Sequence, residues 1–212
     1  MLWEGKQHFA SHFAREVHVD EIAAQLEADP VELRLRNLTH PRFRRVLTAV
    51  AEKFGWKDRR TAPSSGVGSG IGVALGSDVG SYVADCVELA VEGREVRVDH
   101  VVAAFDCGLV VNPDGVRNQV EGSIVMGIGT ALWEAVEFDG GRVLNPSFSR
   151  YRVPRITDAP RIDVELVGDP ETPPTGAGEP AIVPIAAAVA NAVRDATGTR
   201  IESLPVTPQL SG

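Results

Sequence analysis

Two runs decide the fold: Tyr82-Val83-Ala84-Asp85-Cys86-Val87-Glu88-Leu89-Ala90-Val91 and Val96-Arg97-Val98-Asp99-His100-Val101-Val102-Ala103-Ala104-Phe105, with a turn at Glu92-Gly93-Arg94 between them. Apolar residues fall at a period of two, Val87, Leu89 and Val91 in the first run and Val96 and Val98 in the second, which places each set on one side of an extended chain. The short glycine-containing break between them fits a tight turn, so the pair reads as a hairpin. A third strand-like run, Ile71 to Leu75, precedes them. This stretch is therefore a sheet and not a helical bundle.

Outward from the sheet the period changes to that of helices. Upstream, Val17 to Leu26 reads as a helix broken at Ala28-Asp29-Pro30, where Asp29 and Glu32 have the spacing of a capping box around Pro30. A short helix then runs to about Asn37. A third starts at Pro41, with Phe43, Val46, Leu47, Val50 and Phe54 at helical spacing, and ends at Gly55-Trp56. Residues 58–70, with Pro63 and a Ser/Gly-rich run, read as a linker between a helical segment at 1–57 and a domain at 71–212. Downstream, Asn112-Pro113 is expected to cap a helix reaching towards Trp133. Gly122, Gly127 and Gly129 thin that helix at a cost of roughly 1 kcal/mol each relative to alanine, so a close neighbour is expected there. A hairpin around Asp139-Gly140-Gly141, a strand at Ile162 to Val167, a long helix from Ala181 to Thr197-Gly198 and a last strand near Arg200 to Pro205 complete an α+β reading.

Composition sets the outer bounds. The 212 residues are 43% hydrophobic, enough for a substantial core. A formal charge of −8 speaks against nucleic acid or an anionic membrane as partner. Cys86 and Cys107 are too few for a disulfide framework, and both are expected as packed thiols in a reducing compartment. No run approaches the length of an apolar membrane span and the first residues lack a signal peptide's apolar core, which makes cytoplasm the expectation.

For chemistry, Gly176-Ala177-Gly178-Glu179-Pro180 is the most informative motif. Pro180 suits a first helical position, and a carboxylate just ahead of it would meet the positive end of the helix dipole. Glu179 is then either a cap or a base held ionised beside glycines that let a ligand approach. Asp106-Cys107-Gly108 and Gln119-Val120-Glu121-Gly122 could line the same site. Gln119 offers two donors and an acceptor from one planar amide. Cys107 beside Asp106 invites a nucleophile reading, but with no supporting histidine motif a buried thiol is the expectation. Gly68-Ser69-Gly70-Ile71-Gly72 is half a dinucleotide fingerprint placed ahead of a strand, which is the wrong context. The scattered histidines are expected at the surface, and Tyr82, Trp133 and Tyr151 in a core or interface.

In order along the chain, Asp29-Pro30-Val31-Glu32-Leu33-Arg34, Gly70-Ile71-Gly72-Val73-Ala74, Asp106-Cys107-Gly108 with Val111-Asn112-Pro113-Asp114, Gln119-Val120-Glu121-Gly122, Gly178-Glu179-Pro180, and Ala190-Asn191-Ala192 with Ala196-Thr197-Gly198 resemble one known family. It is the C-terminal part of the molybdenum-binding large subunit of the xanthine dehydrogenase and aldehyde oxidase family, and within it the isoquinoline 1-oxidoreductase beta-subunit-like proteins. The resemblance implies oxidation of an aldehyde or N-heterocycle with water as oxygen source. It makes Glu179 the general base and places Gln119, with Gly122 and Gly178, at a molybdopterin-type cofactor. The metal itself would be held by the pterin dithiolene, so no protein metal ligand is expected. Iron-sulfur clusters would sit on a partner, since no cysteine set for one is present. Family large subunits are several times longer, and their Met-Gly-Gln-Gly and glycine-rich phenylalanine motifs are absent here. The chain is therefore expected to work with other hydroxylase subunits. The rival expectation is a cofactor-free interaction module that keeps the fold without turnover.

Overall fold

The hairpin forms as read, and its register explains why both faces of the sheet are apolar. The computed structural model describes residues 4–61, 68–206 and 210. Strands β1 (Ser69–Asp78), β2 (Ser81–Glu92) and β3 (Glu95–Asp106) pair antiparallel in chain order, and β6 (Arg161–Leu166) adds in parallel beside β3. Gly93, at φ 60°, makes the β2–β3 turn that an L-residue would strain. Each strand is longer than its apolar core suggested, because polar ends such as Ser69, Asp78 and Ser81 continue the ladder.

One face carries Val73, Leu75, Ala84, Cys86, Val102 and Ala104, covered by Val46, Leu47, Val50 and Phe54 from α3 (Pro41–Phe54). Gly55 closes that helix in the left-handed region, as its position predicts. Trp56 opens α4 (Trp56–Thr61); the Ser/Gly-rich run expected as a linker falls largely at 62–67, outside the described residues. The other face carries Val83, Val87, Val101, Ala103 and Phe105 under α5 (Pro113–Leu132) and α6 (Ile185–Thr197). The result is an α+β architecture of helix layers on both sides of a mixed sheet.

α1 (Glu4–Gln25) is much longer than the Val17 to Leu26 reading. Together with α6 it seals the free edge of β1. Glu16 accepts the Leu75 amide at 3.2 Å, Arg15 donates to the Leu75 carbonyl at 3.2 Å, and His12 accepts the Ser77 amide at 3.4 Å. From α6, Asp195 accepts the Ile71 amide and Asn191 donates to the Val73 carbonyl, both at 3.0 Å. Side chains thus replace the missing strand and blunt an edge that would otherwise pair with another chain. This corrects the surface placement of His12, which is only 6% exposed. Arg34 on α2 (Pro30–Asn37) braces the arrangement with a buried bond to Glu16 at 2.9 Å.

The caps are half as read. Asp29 accepts the Val31 and Glu32 amides, whereas Glu32 turns to Arg36, and the second oxygen of Asp29 takes the Trp56 indole at 2.8 Å. At the other end of the chain the expected strand near Arg200 is absent. That segment is irregular: the Val206 amide bonds the Ala131 carbonyl at 2.7 Å, while Ile201, Val206 and Leu210 bury their side chains. Packing anchors this segment one side chain at a time, and Pro205 offers a ladder no donor. The hairpin β4 (Phe138–Asp139) and β5 (Arg142–Val143) forms at Gly140-Gly141 as predicted.

Candidate active site

The site grows from two loops zipped together at the carboxyl end of β3. The Leu109 amide donates to the Thr172 carbonyl and the Thr175 amide to the Cys107 carbonyl, both at 2.9 Å. Gly108 sits at φ 70° against the Pro173 carbonyl, a place and conformation open only to glycine. Asn112 then caps α5 through the Gly115 amide at 3.0 Å, as its sequence position predicts, and aims the helix over the second loop.

The zipped loops and the first turns of α5 enclose a cavity of about 350 Å³, lined among others by Cys107, Val111, Asn112, Gln119, Ala177 and Gly178. Gln119 lies on the helix face opposite Gly178: a Cβ on that glycine would stand 3.4 Å from the Gln119 amide nitrogen. The Gln119 side chain is exposed and makes no hydrogen bond among the described residues. One turn on, Gly122 is exposed, and a Cβ there would meet nothing within 4 Å. Its neighbour Ser123 ties the facing turn down by donating to the Gly178 carbonyl at 3.3 Å. Gly127 and Gly129 behave as expected of close neighbours, against Ile185 and against Glu134 and Pro154. Gly122 does not, since no protein atom occupies the space it leaves.

Glu179 follows this wall in the chain. It is exposed, makes no capping bond and has no ion pair among the described residues. The expected geometry needs correction here, because Pro180 does not begin the long helix. Residues Pro180–Ile182 form a single 3-10 turn, Pro184 interrupts, and α6 starts only at Ile185. A proline at 184 cannot donate into a continuous helical ladder, so the run splits. Glu179 is consequently displaced from the α6 terminus, and the dipole argument for its ionisation falls away. What fixes it is the burial of Pro180 and Ala181 directly behind it.

Asp106 also needs correction as a site-lining residue. Its side chain is buried and spent on structure, accepting from Arg42 at 2.7 and 3.0 Å, from Arg45 at 3.2 Å and from the Gly108 amide at 3.0 Å. Burial raises its carboxyl, but these donors together outweigh that and hold it below the usual carboxylate range. Sequence reading missed this role for Arg42 and Arg45; the signal was their placement three apart on one helical face. Cys107 lines the cavity yet is only 3% exposed, and burial, then the Asp106 charge, pushes its thiol up. A thiol so placed is protonated and a poor nucleophile. Tyr82 stacks on His40 and meets Phe43 edge-on, in keeping with a packing role.

The structure therefore brings Gln119 and Gly178 together in one open cleft, with Gly122 exposed one turn further along α5 and Glu179 next in the chain to the cleft wall. Residues 76–160 match the family model described as the molybdopterin cofactor-binding domain. The chain is 35% identical over 211 residues to one of the subunits of nicotinate dehydrogenase from Pseudomonas putida, covering 93% of this chain and 18% of that protein. It is 37% identical over 202 residues to the beta subunit of isoquinoline 1-oxidoreductase from Brevundimonas diminuta, covering 94% and 26%. It thus spans about a fifth to a quarter of these relatives' length. Its fold matches that of aldehyde oxidoreductase from Desulfovibrio gigas with a TM-score of 0.82 over 96% of this chain and 40% of that one, at 16% identity. Quinoline 2-oxidoreductase from Pseudomonas putida 86 gives a TM-score of 0.80 over 95% and 51%, at 15% identity. The chain belongs to the xanthine dehydrogenase and aldehyde oxidase family of molybdenum-binding subunits and carries that family's molybdopterin cofactor-binding domain.

Proposed function

We propose that this chain supplies the base and one wall of the cofactor cleft in a molybdenum hydroxylase that oxidises an aldehyde or N-heterocycle with water as oxygen source. The observation that carries the reading is the unspent cleft: a free planar amide at Gln119 beside open backbone at Gly122 and Gly178, followed by an unpaired carboxylate at Glu179. These residues fit a pterin-type cofactor, whose polar edge needs donors and acceptors and whose bulk needs backbone without side chains. Gln119 would bond the cofactor, and the two glycines would let it close on the chain. When bound, the cofactor supplies the redox centre for a two-electron oxidation. Glu179 acts as general base, its carboxylate taking a proton from the oxygen nucleophile derived from water.

The same cleft is lined by exposed apolar side chains, Leu109 and Val111, the latter at 79% exposure, and Met126 is exposed one turn beyond Gly122 on α5. Such a surface supports a partner that closes the cleft and removes Glu179 from bulk water. We assign that partner to the other polypeptide portions of a hydroxylase, including one carrying iron-sulfur clusters, in the cytoplasm. No helix among the described residues is long and apolar enough to cross a membrane. The nicotinate and isoquinoline in the relatives' names favour an N-heterocycle.

The test is molybdenum and pterin content of the chain purified alone and with its co-purified partner, followed by Glu179→Gln in the loaded complex. The reading expects metal in the complex and a loss of about 10²–10⁴-fold in turnover at unchanged metal content and thermal stability. Turnover untouched by Glu179→Gln would refute the base, and no metal in either preparation would favour the cofactor-free module.

A further inference from the structure

A second cavity, about 640 Å³, lies away from the cleft, at the opposite end of β3 and α5. It is bounded by the β2–β3 turn, the last turns of α5 and the segment leading into β6. Its α5 residues, 128 to 133, follow Gln119 by nine to fourteen positions, about 14–21 Å along the helix. Four buried aliphatic side chains, Val96, Val98, Ile128 and Leu132, make an apolar floor. Trp133 forms a wall, and the Arg152 guanidinium lies 3.8 Å from the centre of its ring. Arg94, Arg97 and Arg161 complete the basic part of the rim.

Much of this donor capacity is unspent. The Arg94 guanidinium and the Trp133 indole N–H make no hydrogen bond or ion pair among the described residues. Arg97 and Arg152 are paired with Asp99 and Asp158, and Arg161 with Asp163, all within a few residues of their partners. All three arginines are exposed, so these local pairs are worth little and the guanidinium groups can turn to a ligand anion. Glu95 and the paired Asp99 and Asp158 also border the cavity, so a plain small anion gains little there from net charge. Affinity has to come from an apolar body on the floor, a flat face beside Trp133 and an anionic group within reach of Arg94 and Arg152. We infer that this cavity is a second ligand site, separate from the cofactor cleft, that takes a planar organic anion such as an aromatic carboxylate or a mononucleotide. Its volume suits a ligand of that size.

Trp133 makes the inference directly testable in the chain as it stands. Tryptophan fluorescence and isothermal titration are followed on adding benzoate, adenosine monophosphate or inorganic phosphate at constant ionic strength. A saturable response to benzoate, to the mononucleotide or to both supports the site and identifies the source of the anion. Arg152→Ala and Arg94→Ala, both at exposed positions, should each weaken it at least about tenfold, and Trp133→Phe should remove the optical signal while weakening the calorimetric one. A response to phosphate as strong as to the organic anions, no saturable response to either, or binding unchanged in both arginine variants would overturn the inference.

Discussion

Gly72→Ala tests the central packing of the fold. Gly70, Gly72, Ala74 and Gly76 share one face of β1, and this stripe of small residues is where α6 lies down on the sheet. A Cβ on Gly72 would come to 3.0 Å or less from three backbone atoms of α6, the Ala188 carbonyl oxygen and the Ala192 amide nitrogen and Cα. Backbone cannot rotate away as a side chain can, so helix and strand would have to part by about an ångström to reach ordinary contact. Residues Ile185 to Val193 are all buried, so the gap would open along the whole inner face of the helix. A gap of that size forfeits a quarter to a half of each contact's attraction. Overpacking that side chains can absorb costs about 1–3 kcal/mol, and a backbone clash belongs at or above the top of that range, so we expect about 3–4 kcal/mol. At about 2–4 °C per kcal/mol, the midpoint should fall by roughly 10 °C in a thermal melt followed by circular dichroism. Gly122→Ala is the control, because its Cβ enters open space and alanine gains up to about 1 kcal/mol in a helix. A loss below about 0.5 kcal/mol for Gly72→Ala would refute the close approach of α6.

Three further outcomes follow from the same contacts. Asp85 is fully buried with both carboxylate oxygens unpartnered, and burial pushes its carboxyl well above the usual range. Its folded pKa exceeds the unfolded value near 3.9, so the stability present at low pH is lost as pH rises above that value. Asp85→Val should therefore stabilise by about 1–3 kcal/mol at neutral pH and by less near pH 4, measured by urea unfolding at both. Asp106 has the opposite sign: its depressed carboxyl contributes stability above the unfolded pKa that is lost as pH falls through the lower folded one. Asp106→Asn should cost about 2–3 kcal/mol at pH 7 and flatten that acid limb, read from melts between pH 7 and pH 3. Gly122→Ala, though harmless or stabilising in the isolated chain, should lower molybdenum content in the assembled complex if the cofactor uses the open space beside Gln119.

Most of the fold was legible because the strands and α3 obey simple periods. Val46, Leu47, Val50 and Phe54 recur at helical spacing and all reach the core. What escaped was any element whose partner is distant in sequence. The edge of β1 is sealed by His12, Arg15, Glu16, Asn191 and Asp195, drawn from the two ends of the chain, and no local pattern announces that closure. Gly70 and Gly72 were visible as glycines, but the half-fingerprint of a dinucleotide site was the wrong comparison. The informative pattern is glycine at period two in a strand set against Ala188, Ala192 and Ala196 at period four in a helix, which together specify a close helix-on-strand crossing.

The site shows the same division between local and distant information. Asn112-Pro113 fixed where α5 begins, and from that start Gln119 and Gly122 fall on adjacent turns of one exposed face. Gly178 meets that face only because the loop after β6 is stitched to the loop after β3 through Leu109, Thr172, Thr175 and Cys107, a pairing set by the parallel addition of β6. The position of Glu179 turned on a residue outside its motif. Pro184 ends the continuity that Pro180 promises, and the carboxylate sits on a short turn with Pro180 and Ala181 buried behind it rather than at the pole of a long helix. The 3-10 turn leaves Glu179 exposed beside the cleft wall, and the exposed Leu109 and Val111 border the same cleft.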